Sequence, residues 1–370
     1  MSHAPETYIR YTDGLEVKQA NEDAIIDAIV ESMLRVNRKV FDKHRHATRD
    51  AHAKCHGVLK GRLDVYDNLP EPLRQGVFAT PASHPAGYPV LLRLSTAPGD
   101  LHSDRIPAPR GMALKLLDVP GPQLLPGRTA TTQDFLLVNH PVIAFGHAAA
   151  YLKTQQLLEK HADDPEMVRK VLAALAHGGS KALHLLGIEN PTVDTLGAPN
   201  HHILGETFYS MAAIRYGDYV AKVCAAPLSD NVRALTGQPL RDDAGDSELR
   251  DLVVDFFRTQ GCEYELRVQL CTDIEKMPIE DASVRWDEEA SRYLPVAKLT
   301  LPPQEAYSPA RRVFADDVLS FNPWQGIEAH RPLGSIMRAR IRAYETSTRF
   351  RHEMNAQPRI EIDDLAQVPD

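Results

Sequence analysis

The sequence predicts an α+β chain built around eight β-strands, and three observations lead there. Strand-like runs recur at roughly 57–66, 88–95, 110–117 and 133–138, and again at 207–215, 218–225, 262–271 and 295–301. Turn clusters rich in Pro and Gly break the first group at 81–89, 98–99, 107–111 and 120–127. Helical patterns precede, divide and follow the two groups. Eight antiparallel strands can close into a barrel without exposed edges. Pattern alone reads as a β-rich chain with appended helices.

Taken in order, residues 1–20 read as an irregular arm. Asn21 can cap a helix running to about Asp42, in which Ile25, Ile26, Ile29, Val30, Met33 and Leu34 follow a helical period. After the first four strands, a helix spans about Gly146 to Lys160. Another starts at Asp164-Pro165, a cap followed by Pro at the first helical position, and stops near Gly178-Gly179. A long loop with Pro309, Pro323 and Pro332 feeds an arginine-rich helix, Arg338 to Arg351, free of Gly and Pro. The last residues are acidic and extended. The divisions expected are an arm and helix over 1–48, a barrel domain with the arginine-rich helix over 49–355, and a tail over 356–370. There is no internal repeat and no low-complexity tract.

Composition excludes several classes. A hydrophobic share of 43% is ordinary for a globular chain. A net charge of −8 argues against a dedicated nucleic-acid binder. No apolar run approaches the ~20 residues of a membrane span, and the N-terminus has no signal-peptide pattern. Cys55, Cys224, Cys262 and Cys271 lack CxxC spacing, so a zinc ribbon is not expected and a reducing cytoplasm is.

Tyr344 is the most informative residue. Arg340, Tyr344, Ser347 and Arg351 fall at i, i+4, i+7 and i+11 of the arginine-rich helix, on one face. Two guanidiniums beside a phenol favour the phenolate, a hard ligand for ferric iron. The plainer reading is a solvated basic face with a core tyrosine. Arg338, Arg342 and Arg349 fall off that face and read as surface residues.

Three upstream segments join this helix. They are Arg49-Asp-Ala-His52-Ala-Lys, Arg93-Leu-Ser95-Thr, and Pro109-Arg110-Gly111-Met-Ala-Leu-Lys. With Arg340-x-x-x-Tyr344 and Arg351 seven residues on, and with Leu294–Leu301 before them, the order resembles the haem catalase family from about Arg49 to Arg351. The resemblance implies a catalase-type eight-stranded antiparallel barrel with helical insertions and a C-terminal haem-ligand helix. It implies haem b, with Tyr344 as the axial ligand of the iron and Arg340 keeping it ionised. Arg49, Arg93 and Arg351 match arginines that bind haem propionates, a task suited to a planar, permanently charged fork. His52 matches the distal acid–base histidine, and Ser95 the serine that orients it. Asn139, in Val-Asn139-His-Pro, takes the distal asparagine role if one gap is allowed. Tyr151 corresponds to an aromatic stacked on haem.

The departures are Ala51 before His52, Cys55-His56 in place of smaller residues, and Val142–Phe145 where the family is rich in Phe. The chain also stops soon after the tyrosine helix, so it looks like a minimal, barrel-only member with a wider approach to haem. The implied activity is haem-dependent consumption of hydrogen peroxide or organic hydroperoxides through a ferryl intermediate: a peroxidase with some catalase activity. The implied partners are peroxide and a small-molecule reductant, without nucleic acid or membrane, in a cytoplasmic homo-oligomer. Two alternatives stay open: a hydroperoxide-rearranging enzyme of the allene oxide synthase type, and a non-catalytic haem-binding protein. A zinc or iron hydrolase on His44, His46, His52 and His56 is disfavoured, because no HExxH pattern is present.

Overall fold

A computed structural model describes residues 7–79, 87–127, 131–160, 200–241, 243 and 245–370. Nine strands are assigned among them: β1 (Lys54–Val65), β2 (Tyr88–Thr96), β3 (Arg110–Leu116), β4 (Gln133–Val138), β5 (Phe208–Tyr209), β6 (Ile214–Tyr216), β7 (Tyr219–Pro227), β8 (Cys262–Leu270) and β9 (Leu294–Leu301). Every pairing is antiparallel. The order β4-β3-β2-β1-β9-β8-β7 is closed by β5, which pairs with both β4 and β7, while β6 continues along β7. β5 and β6 together are the strand expected over 207–215, interrupted at Ser210–Ala213. The result is the closed eight-stranded antiparallel barrel.

The helices are α1 (Glu22–His44), α2 (Ala148–Lys160), the short α3 (Asp230–Arg233), α4 (Glu248–Thr259), the short α5 (Pro309–Val313) and α6 (Ser335–Met354). Asn21 sits at the start of α1, but its side chain makes no cap bond; its carbonyl accepts from Ile25 at 3.1 Å. The helix expected over 164–179 lies outside the described residues. α4 was not anticipated, although Leu249, Val253 and Phe257 repeat at i, i+4 and i+8 and are buried. Part of the expected long loop is α5. Its Ser308 hydroxyl accepts from Arg311 N–H at 3.1 Å, with Pro309 at the first helical position. No helix among the described residues is long and apolar enough to cross a membrane.

The strands separate two cores by alternation. Leu92, Leu94, Met112, Leu114, Phe135 and Leu137 point into the barrel and join its central apolar cluster. Val58 and Leu91 point outward and are covered by Phe314, Leu319 and Phe321, with Ile362 and Val368 of the C-terminal residues. The tail thus packs onto the barrel, and Pro369 O accepts from Arg311 Nε at 2.8 Å.

Arg338 corrects the expectation of a surface side chain. Its guanidinium bonds Glu22 at 2.6 and 2.9 Å, Glu280 at 2.9 and 3.0 Å, and Glu16 at 2.5 Å. It ties α6 to the arm, to α1 and to the loop before β9. Hydrogen bonding to Arg338 holds the Glu22 carboxyl below its ordinary 4.5, against the opposing effect of burial. A carboxyl depressed in the folded state contributes stability above its unfolded pKa, and that contribution is lost as pH falls through the folded value. Arg338→Ala should cost about 3–5 kcal/mol in urea unfolding at neutral pH, because it leaves partly buried carboxylates uncompensated. The variant should also lose less stability than the wild type between pH 5 and pH 3.

Candidate active site

The site lies on the outer face of β1–β4, under α2, α6 and the turn after α5. Cys55, Ser95, Gly111 and Val138 follow one another in register across these strands and share that face. His52 stands just before β1 in left-handed backbone conformation, φ 53°. That conformation is unusual for a residue with a Cβ, and Arg93 clamps it: its Nη1 and Nη2 donate to the carbonyls of His52 and Ala53, each at 3.0 Å. Ser95 Oγ is 3.3 Å from His52 Nδ1. Gly111 leaves room for both, since a Cβ there would lie 2.7 Å from His52 Nδ1 and 2.8 Å from Ser95 Oγ.

Burial, and then the charges of Arg93, Arg340 and Arg110, lower the His52 pKa to about 3. The imidazole is therefore neutral across the physiological range, with Nδ1 turned to Ser95. Its Nε2 has no hydrogen-bond partner among the described residues.

Arg93 and Arg351, both buried, and the half-buried Arg49 form a cationic group at one edge. Arg49 Nη2 donates to Ala315 O at 2.6 Å and to Leu319 O at 2.5 Å. Arg351 donates to Asp316 O, to Leu319 O at 3.1 Å and to Ser320 Oγ at 2.8 Å. Arg93 Nε is buried without a partner among the described residues. Burial, followed by the charges of Arg93 and Arg351, pushes the Arg49 pKa well down. Asp316 Oδ1 lies 3.9 Å from Arg49, and Asp317 and Asp316 both act on the Arg351 charge.

On α6, Arg340 and Tyr344 face the same space, and Arg340 also acts on His52. The expectation of a lowered phenol pKa is not met. Burial raises the Tyr344 pKa, Arg340 opposes, and Asp50 raises it further. Arg351 does not contribute, because it is turned to Asp316, Leu319 and Ser320. Tyr151 of α2 packs against Phe145 with ring centroids 4.7 Å apart and planes tilted by 35°, and lies within electrostatic reach of Asp50, Arg340 and Tyr344. Asp50 itself was overlooked in the sequence. Its N–H donates to Ser347 Oγ at 3.3 Å, so the segment before His52 is joined to α6 one turn from Tyr344. Burial raises the Asp50 pKa, with Ser347 and Arg340 opposing. Ala113, Leu136 and Val138 on the sheet, and Phe145, Tyr151 and Tyr344 of the elements over it, are only half-buried, so apolar side chains remain open at this site.

Asn139 does not join this group. One residue beyond Val138, it falls on the opposite face. Its Oδ1 accepts from Arg110 N–H at 2.8 Å, and its side chain also bonds Glu206. Arg110, Thr96 and His56 form a polar plug with it inside the end of the barrel: Arg110 Nη1 donates to Thr96 Oγ1 at 2.7 Å, which is 2.6 Å from His56 Nε2. The four histidines considered for a hydrolytic metal also separate. His44 pairs with Asp100, His46 with Asp317, His52 with Ser95 and His56 with Thr96. Among the described residues no group of three or more His, Cys, Asp or Glu is placed to hold a metal ion.

Most of the chain superimposes on solved catalases. A fungal catalase matches with TM-score 0.58 and 17% identity over 94% of this chain and 66% of that one. Catalase A from Saccharomyces cerevisiae matches with TM-score 0.57 and 16% identity over 97% and 72%. The chain thus has the catalase fold, and it spans 66% of the fungal catalase's length. No family model matches the sequence, and no curated protein matches it.

Gly111→Ala tests the close approach at His52. The added methyl should displace the ring from Ser95, moving the His52 imidazole resonances in a proton–nitrogen NMR spectrum. The melting temperature should change far less than for a core truncation. Unmoved resonances would show that the ring is held by something other than Ser95.

Proposed function

We propose that the protein is a haem-dependent oxidoreductase that consumes peroxide, chiefly as a peroxidase with some catalase activity. The observation that carries this reading is the convergence on one apolar cleft of an oriented neutral imidazole, a phenol beside a guanidinium, and three arginines, two of them buried, whose hydrogen bonds run chiefly to backbone carbonyls.

The residues fit haem b. Arg49, Arg93 and Arg351 would hold its propionates: their hydrogen bonds run to carbonyls and one hydroxyl, Asp316 pairs with Arg49 only at 3.9 Å, and Arg93 Nε still seeks an acceptor. Tyr344 would ligate the iron. Burial keeps its proton on at neutral pH, so binding an iron centre would release it, and Arg340 would stabilise the phenolate. Tyr151 would help to hold the apolar ring of haem. Haem, when bound, supplies the redox centre at which the O–O bond is cleaved and which a small-molecule donor restores.

The chain's own residues manage the proton. His52 Nε2 accepts it from one peroxide oxygen and returns it to the other, the leaving oxygen. Ser95 at Nδ1 keeps the ring aimed, Arg93 holds its backbone, and the surrounding hydrocarbon excludes water. No role in this cleft falls to Asn139.

Tyr344→Phe should fold, bind haem weakly and lose the charge-transfer absorption of a phenolate ligand. His52→Ala should bind haem normally and react with peroxide about 10²–10⁴-fold more slowly in stopped-flow mixing. With a folded-state pKa of about 3, His52 is a competent base above that value and is lost as one below it. The rate with peroxide should therefore stay flat from pH 7 down to pH 5 and fall only as pH approaches 3. A midpoint near 6.5 would contradict the electrostatics given for this site.

A further inference from the structure

The cleft beside His52 offers hydrocarbon where a second polar group would be needed for the smallest peroxide. Gly111 presents no side chain and Val138 presents methyl groups. Val138 packs with Ile143, Phe145, Tyr151 and Met337 in one apolar cluster. Two polar side chains on the neighbouring strands are engaged elsewhere. Ser95 serves His52, and Asn139 is committed to Arg110 and Glu206 on the other face. The Tyr151 ring lies along this wall, against Phe145, and it interacts electrostatically with Asp50, Arg340 and Tyr344.

We infer that Val138 is a specificity-determining residue, and that the site takes hydroperoxides carrying an apolar substituent in preference to hydrogen peroxide. The inference rests on the peroxide reading above. Hydrogen peroxide has two O–H donors, and His52 Nε2 accepts from one. The other would be pressed against Val138 and left unpaired, and an unmade hydrogen bond in a dry site is what discriminates most strongly between ligands. An alkyl or aryl hydroperoxide has a single O–H. Its substituent replaces the second donor and meets the wall that Val138, Phe145 and Tyr151 provide.

The chemistry balances with a phenolic donor AH: ROOH + 2 AH gives ROH, water and two A radicals. The O–O bond breaks and each donor gives up one electron and one proton. His52 carries the hydroperoxide proton from the terminal oxygen to the substituted one, which leaves as ROH.

The test uses the haem-loaded protein with one phenolic donor, comparing kcat/KM for cumene hydroperoxide and hydrogen peroxide. The wild type should favour cumene hydroperoxide by about tenfold or more, the scale of small apolar contacts in a pocket. Val138→Asn should narrow that ratio by about tenfold, mainly by improving hydrogen peroxide. Val138→Thr, close to isosteric, should move it the same way and decides the matter if the Asn variant does not fold. Calorimetric titration with 2-phenyl-2-propanol, the inert alcohol counterpart of cumene hydroperoxide, should show binding to the wild type that weakens in whichever variant folds. A wild type that prefers hydrogen peroxide overturns the inference and leaves the peroxide reading standing. So does a ratio, or an alcohol affinity, that neither substitution moves. Consumption of neither peroxide overturns both.

Discussion

The carbonyl of Leu319 is the point on which the two halves of the site depend. It ends the helical segment formed by α5 and the π-helical turn Phe314–Val318, where carbonyl groups run out of intrahelical donors. Arg49, from the segment that carries His52, donates to it, and so does Arg351, from the helix that carries Tyr344. The same two arginines take up the carbonyls of Ala315 and Asp316. One frayed helix end thus joins the imidazole side to the phenol side. Removing either guanidinium would leave buried carbonyls unpaired as well as a gap in the packing.

This joint also sets the electrostatics. Three guanidiniums gather around backbone carbonyls, with Asp316 as the near carboxylate. Of the three, Arg93 acts on His52, and with Arg340 and Arg110 it helps to hold the ring neutral, burial being the larger cause. The group does not ionise Tyr344, because Arg351, engaged by the helix end, is turned away and Asp50 works in the opposite sense. Helical spacing correctly places Arg340, Tyr344 and Arg351 on related faces of α6. It does not say that one of the two arginines would be claimed by another element.

Much of the fold was legible in the sequence. The strand-like runs coincide with β1–β4 and β7–β9, and the run at 207–215 with β5 and β6, because alternation and turn residues are local signals. The misses are equally physical. Arg338 reads as surface from its position on the helix, but three carboxylates from distant segments collect on it, and no local pattern announces that. Asp50 lies between two recognised residues, yet its meaning comes from Ser347 across the cleft. Asn139 was assigned by motif with one gap allowed, and one residue is enough to move a side chain to the other face of a strand. Here that residue is Val138.

Strand parity is therefore the finer rule behind the site, and β1 shows how it is kept. Val58 pairs with Arg93 outward, Leu59 with Leu92 inward, and Cys55 with Ser95 outward. Uninterrupted alternation cannot give both Cys55 and Val58 the outward face. The register shifts between Cys55 and Gly57, and His56 is the extra residue, bonded to Thr96 at the barrel end. A bulge of this kind bends and re-phases the strand. Downstream, Leu59 and Leu63 are delivered to the barrel core. Upstream, Cys55 is delivered to the face of Ser95, and the chain arrives at His52 in position to meet it. The unusual Cys55-His56 pair thus occupies the one place in β1 where the sequence must stop alternating, for the same sheet to carry a core on one side and a reactive cleft on the other.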